Sequence, residues 1–94
     1  MTKDRNGGAA ADAEPQAIAD ALRRYLVELS EERLSYGEID PERHLFDHGY
    51  VDSLSAVMLL AHIEERWGVQ IEDVELIESL TSVNALAARI HSAR

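Results

Sequence analysis

From Pro15 to Ile90 the apolar residues recur at spacings of three and four, and nowhere do they alternate by two over a useful length. That is the period of the α-helix, so the chain is expected to fold without a sheet. Ile18, Leu22, Tyr25, Leu26 and Leu29 share one side of a first run, with Asp20, Arg23, Arg24 and Glu28 on the other. Pro15 suits its first turn, where a missing N–H costs nothing. This helix is predicted to end between Leu29 and Leu34. A second starts at Asp52 or Ser53 and runs to Trp67, where Gly68 can terminate it. A short third helix is expected over Glu72 to Glu78. Thr81 or Ser82 then caps a last helix through Val83, Leu86, Ala87 and Ile90. The expected fold is a small all-α bundle of three main helices plus a short one.

Residues 35 to 52 interrupt the pattern and contain Gly37, Pro41 and Gly49. They read as a long loop pinned to the core by Ile39, Leu45 and Phe46. Loops of that length in small domains are usually functional or disordered, and three apolar anchors favour the first. At 94 residues there is room for one domain, near the lower end of what buries its own core. Residues 1–14, polar and then Gly- and Ala-rich, are predicted to be a disordered tail, leaving 15–94 as the folded domain. The absence of cysteine excludes disulfides and thiolate chemistry. No signal peptide is visible, and no apolar run approaches the roughly 20 residues that span a bilayer, so a cytoplasmic protein is expected. The net charge of −9 argues against nucleic acid and membrane surfaces as partners. Between Glu38 and Ser82 eleven acids face only Arg43 and Arg66. That concentration reads either as a docking surface for basic partners or as a solvated face.

The segment Asp47-His48-Gly49-Tyr50-Val51-Asp52-Ser53-Leu54 carries the most chemistry. Gly49 can adopt the positive φ of a sharp turn. Asp52 is a favoured N-cap, which puts Ser53 in the first helical turn with its hydroxyl outward. There the unpaired N–H groups and the helix dipole would favour an esterified phosphate. A plain helix cap would use the same residues. On the helix that follows, Ala56, Leu59, Leu60, Ile63 and Trp67 line one face and are expected in the core. Leu54, Val57, Met58 and Ala61 form a second apolar stripe, edged by Glu64 and Glu65. A small bundle needs one buried face per helix, so the second stripe reads as a protein-docking site, the alternative being that it packs under the long loop.

The stretch Leu45 to Ile90 resembles the acyl carrier and peptidyl carrier protein family. Its attachment motif Asp-Ser-Leu is matched by Asp52, Ser53 and Leu54. The apolar-then-acidic second helix (Leu59 to Trp67), the short third helix and the Ser82-Val83 pair opening the fourth are also in register. The resemblance implies that Ser53 receives 4′-phosphopantetheine from coenzyme A. The transfer would be catalysed by a magnesium-dependent phosphopantetheinyl transferase, with Asp52 beside that metal. The chain would be a non-catalytic, monomeric, free-standing carrier of acyl or aminoacyl thioesters. Acyl- or aminoacyl-loading enzymes and downstream synthase enzymes would be its partners. Fatty-acid carriers typically have a short Gly-Ala-type step before the motif and acids directly after it. Here Gly49-Tyr50-Val51 precede it, and Ser55, Ala56, Val57 and Met58 follow. That departure, with arginine far outnumbering lysine, points to polyketide, nonribosomal peptide or related secondary-metabolite assembly. A fatty-acid or D-alanyl-type carrier is the alternative.

Other chemistries fit less well. A serine hydrolase needs a glycine-flanked strand-to-helix elbow, which Val51 to Ser55 do not offer. His44 and His48 with Asp47 and Asp52 fall in a Gly-flanked loop, and His62 and His91 are single histidines on helices. The acids of 72–78 lack the alternating ligands and central glycine of a calcium loop. No metal is expected. An acidic helical interaction module that is never modified would share every one of these helices.

Overall fold

The computed structural model describes residues 14–93. Apart from Glu14, the expected N-terminal tail falls outside them. Four α-helices are present among the described residues: α1 (Pro15–Leu29), α2 (Ser53–Trp67), α3 (Asp73–Glu78) and α4 (Val83–Ala93), with a 3-10 turn at Tyr36–Glu38. The all-α expectation of three main helices and a short one holds.

Local chemistry explains the helix ends. Pro15 sits at the start of α1. Asp52 caps α2, and Gly68 ends it in the left-handed region at φ +71°, a conformation that costs glycine little. Glu72 and Glu75 form a reciprocal capping box on α3. Of the two candidate caps for α4, Ser82 does the work, its Oγ accepting the Ala85 N–H at 3.1 Å.

The core is one cluster. Ile18, Leu22 and Leu26 from α1 pack with Leu59 and Ile63 from α2, Leu76 from α3, and Val83, Leu86 and Ile90 from α4. Each of these is at most 1% exposed. Leu60 is a correction: it is only partly buried. The buried line of α2 runs Ala56, Leu59, Ile63, Trp67. One residue further round the helix, Leu60 lines a shallow groove with Gln70 and Ile71 instead.

The long loop is anchored as expected at Ile39 and Leu45, both fully buried, whereas Phe46 is only partly so. Two further anchors escaped the sequence reading. Tyr50 and Val51 are buried immediately before α2. The Tyr50 hydroxyl donates to the Glu38 carbonyl at 3.0 Å and accepts the Asp40 N–H at 2.8 Å. Both backbone N–H groups reach back to the Leu45 carbonyl, and Leu45 N–H donates to the Thr81 carbonyl at 2.7 Å, ahead of α4. The start of α2 is therefore held by a loop that is itself tied to the rest of the bundle.

Candidate functional site

The N-terminus of α2 is built around a reciprocal pair. Asp52 Oδ1 accepts both the Ser55 N–H and the Ser55 hydroxyl, each at 2.9 Å. Ser55 Oγ accepts the Asp52 N–H in return, also at 2.9 Å. These bonds from Ser55, backbone first and hydroxyl second, hold the Asp52 carboxyl below its ordinary range. The Ser55 hydroxyl is thus occupied as a structural group. Ser53, two residues earlier, is exposed and is the first residue of the helix. Its hydroxyl has no hydrogen-bond partner among the described residues, and its N–H belongs to the first turn, where no helical carbonyl is available. Gly49, at φ +82°, makes the turn that delivers the chain to this point.

Beyond Ser53 the second stripe of α2 lies in solvent. Leu54 is 71% exposed, Val57 62% and Met58 46%; Ala61, Glu64 and Glu65 are exposed too. The structure thus places the whole expected stripe and both rim acids on one open face of α2. Glu64 also accepts a hydrogen bond from Gln70 at 3.1 Å. Two further exposed apolar residues were missed in the sequence. Val74 and Ile77 of α3 are 51% and 54% exposed, because a six-residue helix buries only Leu76. The signal was there in principle: a short amphipathic segment carries three large apolar residues and has room to bury one.

The four histidines go elsewhere. His44 Nδ1 accepts the Asp47 N–H at 3.1 Å, and the His48 ring meets Tyr50 edge-on. His62 stacks flat on Tyr25, ring centroids 3.8 Å apart, which ties α2 to α1. His91 lies exposed in the last turn of α4. Among the described residues, no group of three or more His, Cys, Asp or Glu side chains could hold a metal ion.

The family described as phosphopantetheine attachment site matches residues 20–90, from the middle of α1 to the end of α4. The chain belongs to that family of carrier proteins. An acyl carrier protein of Streptomyces coelicolor is 36% identical over 81 residues, covering 86% of this chain and 86% of that protein. No solved structure matches the chain. The carrier is non-catalytic, and its cofactor is a covalently attached 4′-phosphopantetheine. The bundle described above accordingly serves to present an arm and a surface to other enzymes. No helix among the described residues is long and apolar enough to cross a membrane.

Proposed function

We propose that the carrier bears its phosphopantetheine on Ser53 and works as a monomeric cytoplasmic carrier in polyketide, nonribosomal peptide or related secondary-metabolite assembly. The observation that carries the attachment is the contrast between two neighbouring serines. Ser55 spends its hydroxyl closing the Asp52 cap, while Ser53 leaves its own unpartnered at an exposed helix start. The residues fit the group. A phosphodiester on Ser53 would meet the N–H groups of the first turn and the positive end of the α2 dipole. Asp52, whose carboxyl the Ser55 hydrogen bonds hold below its ordinary pKa, would lie beside the transferase magnesium. When bound, the cofactor supplies a terminal thiol on which cargo is held as a thioester.

The exposed stripe of Leu54, Val57, Met58 and Ala61, with Glu64 and Glu65 at its rim, is the surface proposed for the transferase and the loading enzymes. An apolar strip flanked by acids would bind a partner with an apolar patch and basic surroundings. The assembly-line assignment is supported by the apolar Ala56, Val57 and Met58 after the motif, where fatty-acid carriers place acids.

Intact mass after incubation with coenzyme A and a broad-specificity phosphopantetheinyl transferase tests the attachment. One phosphopantetheinyl unit is expected on the wild type and on Ser55→Ala, and none on Ser53→Ala. Modification of Ser53→Ala would overturn the assignment. An unchanged wild-type mass would leave a docking module without a cofactor. Screening the holo form against adenylating enzymes and acyltransferases then identifies the class of loading enzyme.

A further inference from the structure

The chain reaches Ser53 through a glycine. Gly49 stands at φ +82°, and a Cβ placed there would meet nothing within 4 Å. Neither sterics nor a neighbouring group therefore holds the backbone at that turn, and glycine leaves it free to swivel. Whatever fixes the approach to Ser53 has to act between Gly49 and the Asp52 cap.

Two sets of bonds act there. The N–H groups of Tyr50 and Val51 share the Leu45 carbonyl, at 2.9 and 3.2 Å, which ties them to a near neighbour in the same loop. The Tyr50 hydroxyl reaches the other half of the loop. It bonds the Asp40 N–H and the Glu38 carbonyl, on either side of the fully buried Ile39. That stretch is itself fixed to two helices. The Tyr36 carbonyl accepts the Ile39 N–H and a guanidinium N–H of Arg23 in α1, both at 3.2 Å. The Tyr36 hydroxyl donates to Asp20 of α1, and the Pro41 carbonyl accepts the Asn84 N–H of α4 at 3.0 Å. One hydroxyl thus connects the approach to α2 with backbone that is bonded to α1 and α4.

We infer that the Tyr50 hydroxyl is a positioning group for the modification of Ser53. The inference rests on attachment at that serine. In the transfer, Ser53 Oγ forms a bond to the pantetheine-bearing phosphorus of coenzyme A. The pyrophosphate P–O bond breaks, adenosine bisphosphate leaves, and the hydroxyl proton passes to a base of the transferase. Such a displacement depends steeply on where the attacking oxygen is held. The ring of Tyr50 is buried and needs no hydroxyl to pack, so phenylalanine would fill the same space and keep both bonds to Leu45. It would lose the link to residues 38–40 and return the swivel at Gly49 to the helix start. Tyr50 touches no reacting atom; it acts through the backbone that carries Ser53.

Tyr50→Phe, varied as the substrate of a broad-specificity phosphopantetheinyl transferase at saturating coenzyme A, tests this. A kcat lower by about tenfold is expected. KM for the carrier should stay within about twofold, because the exposed Leu54, Val57 and Met58 are still available for docking. A purely structural role gives the opposite split: an unfolded fraction dilutes the competent carrier, raises the apparent KM and spares kcat. That split, or wild-type kinetics, would overturn the inference. So would a variant without cooperative urea unfolding, since the hydroxyl would then be a requirement of folding. Failure of the attachment reading is seen separately, as an added mass that survives in Ser53→Ala.

Discussion

Truncating α2 on its two apolar faces should have opposite consequences, and the sizes follow from burial. Ile63 is fully buried in the core cluster, so Ile63→Ala removes transfer energy and leaves a cavity. Such changes cost about 2–5 kcal/mol. A domain of this size is stable by roughly 4–12 kcal/mol, and about 1 kcal/mol moves its Tm by roughly 4–8 °C. Ile63→Ala should therefore lower Tm by about 10 °C or more. Val57 is 62% exposed, so little more than a third of the transfer energy of its two methyl groups is at stake, about 0.6 kcal/mol. Alanine also has the higher helix propensity, by a similar amount, and the two effects cancel. Val57→Ala should leave stability nearly unchanged and slow modification by the transferase. Urea unfolding of the apo protein, with equal m-values checked, measures the first effect; the modification rate measures the second. Equal destabilisation at Val57 and Ile63 would refute the assignment of faces, and with it the docking surface.

Reversing both rim acids, Glu64→Arg with Glu65→Arg, should slow loading by basic partners several-fold at low salt, with the difference shrinking as salt rises. Both are exposed, so the unfolding midpoint should barely move, and an unchanged low-salt loading rate would remove the acids from the docking surface. Burial first, and then the nearby Arg66 cation, push His62 below its ordinary pKa, while Glu28 and Glu65 pull the other way. Its contribution to stability is fully present above the unfolded value of about 6.5 and is lost as pH falls through the folded value. The unfolding midpoint of the wild type should decline over that window relative to His62→Phe, which keeps a ring on Tyr25. Parallel curves would show that His62 does not titrate into the fold.

The helix frame was legible in the sequence because its signals are local. Asp52 caps, Gly68 turns left-handed and Pro15 opens α1 through bonds and torsions within a few residues of themselves. The candidate serine was legible for the same reason. What separates it from Ser55 is the capping box: Ser55 stands three residues after the Asp52 cap and its hydroxyl closes the box, while that of Ser53 does not take part. Long-range features were not legible. The burial of Tyr50 depends on acceptor and donor groups at Glu38 and Asp40, twelve and ten residues away. The Tyr25–His62 stack depends on how α1 crosses α2. Leu60 has the right period for the core and misses it because the α2–α3 connection leaves a groove there. The turn after α1 is a further case: Glu31 and Glu32 both adopt positive φ, 57° and 66°, where glycine or asparagine is the ordinary choice. Their N–H groups close back onto Glu28 and Val27 carbonyls, so helix termination holds a conformation that the residue types disfavour.

These features share one location. The Tyr50 anchor sets where α2 begins, the left-handed turn at Glu31 sets where α1 ends, and a groove lined by Glu31, Phe46 and Asp52 lies between the two. A carrier catalyses nothing itself, so its function depends on where the attachment side chain is held and what surrounds it. The long loop is therefore the functional part of the scaffold: its buried Ile39, Leu45 and Tyr50 hold the start of α2 against a core supplied by α1 and α4. Shortening the loop while keeping all four helices would preserve a bundle and lose the placement of Ser53. The conformational precision of this carrier thus resides in a segment without helical periodicity, which is why a helix-by-helix reading of the sequence recovers the bundle more completely than the site.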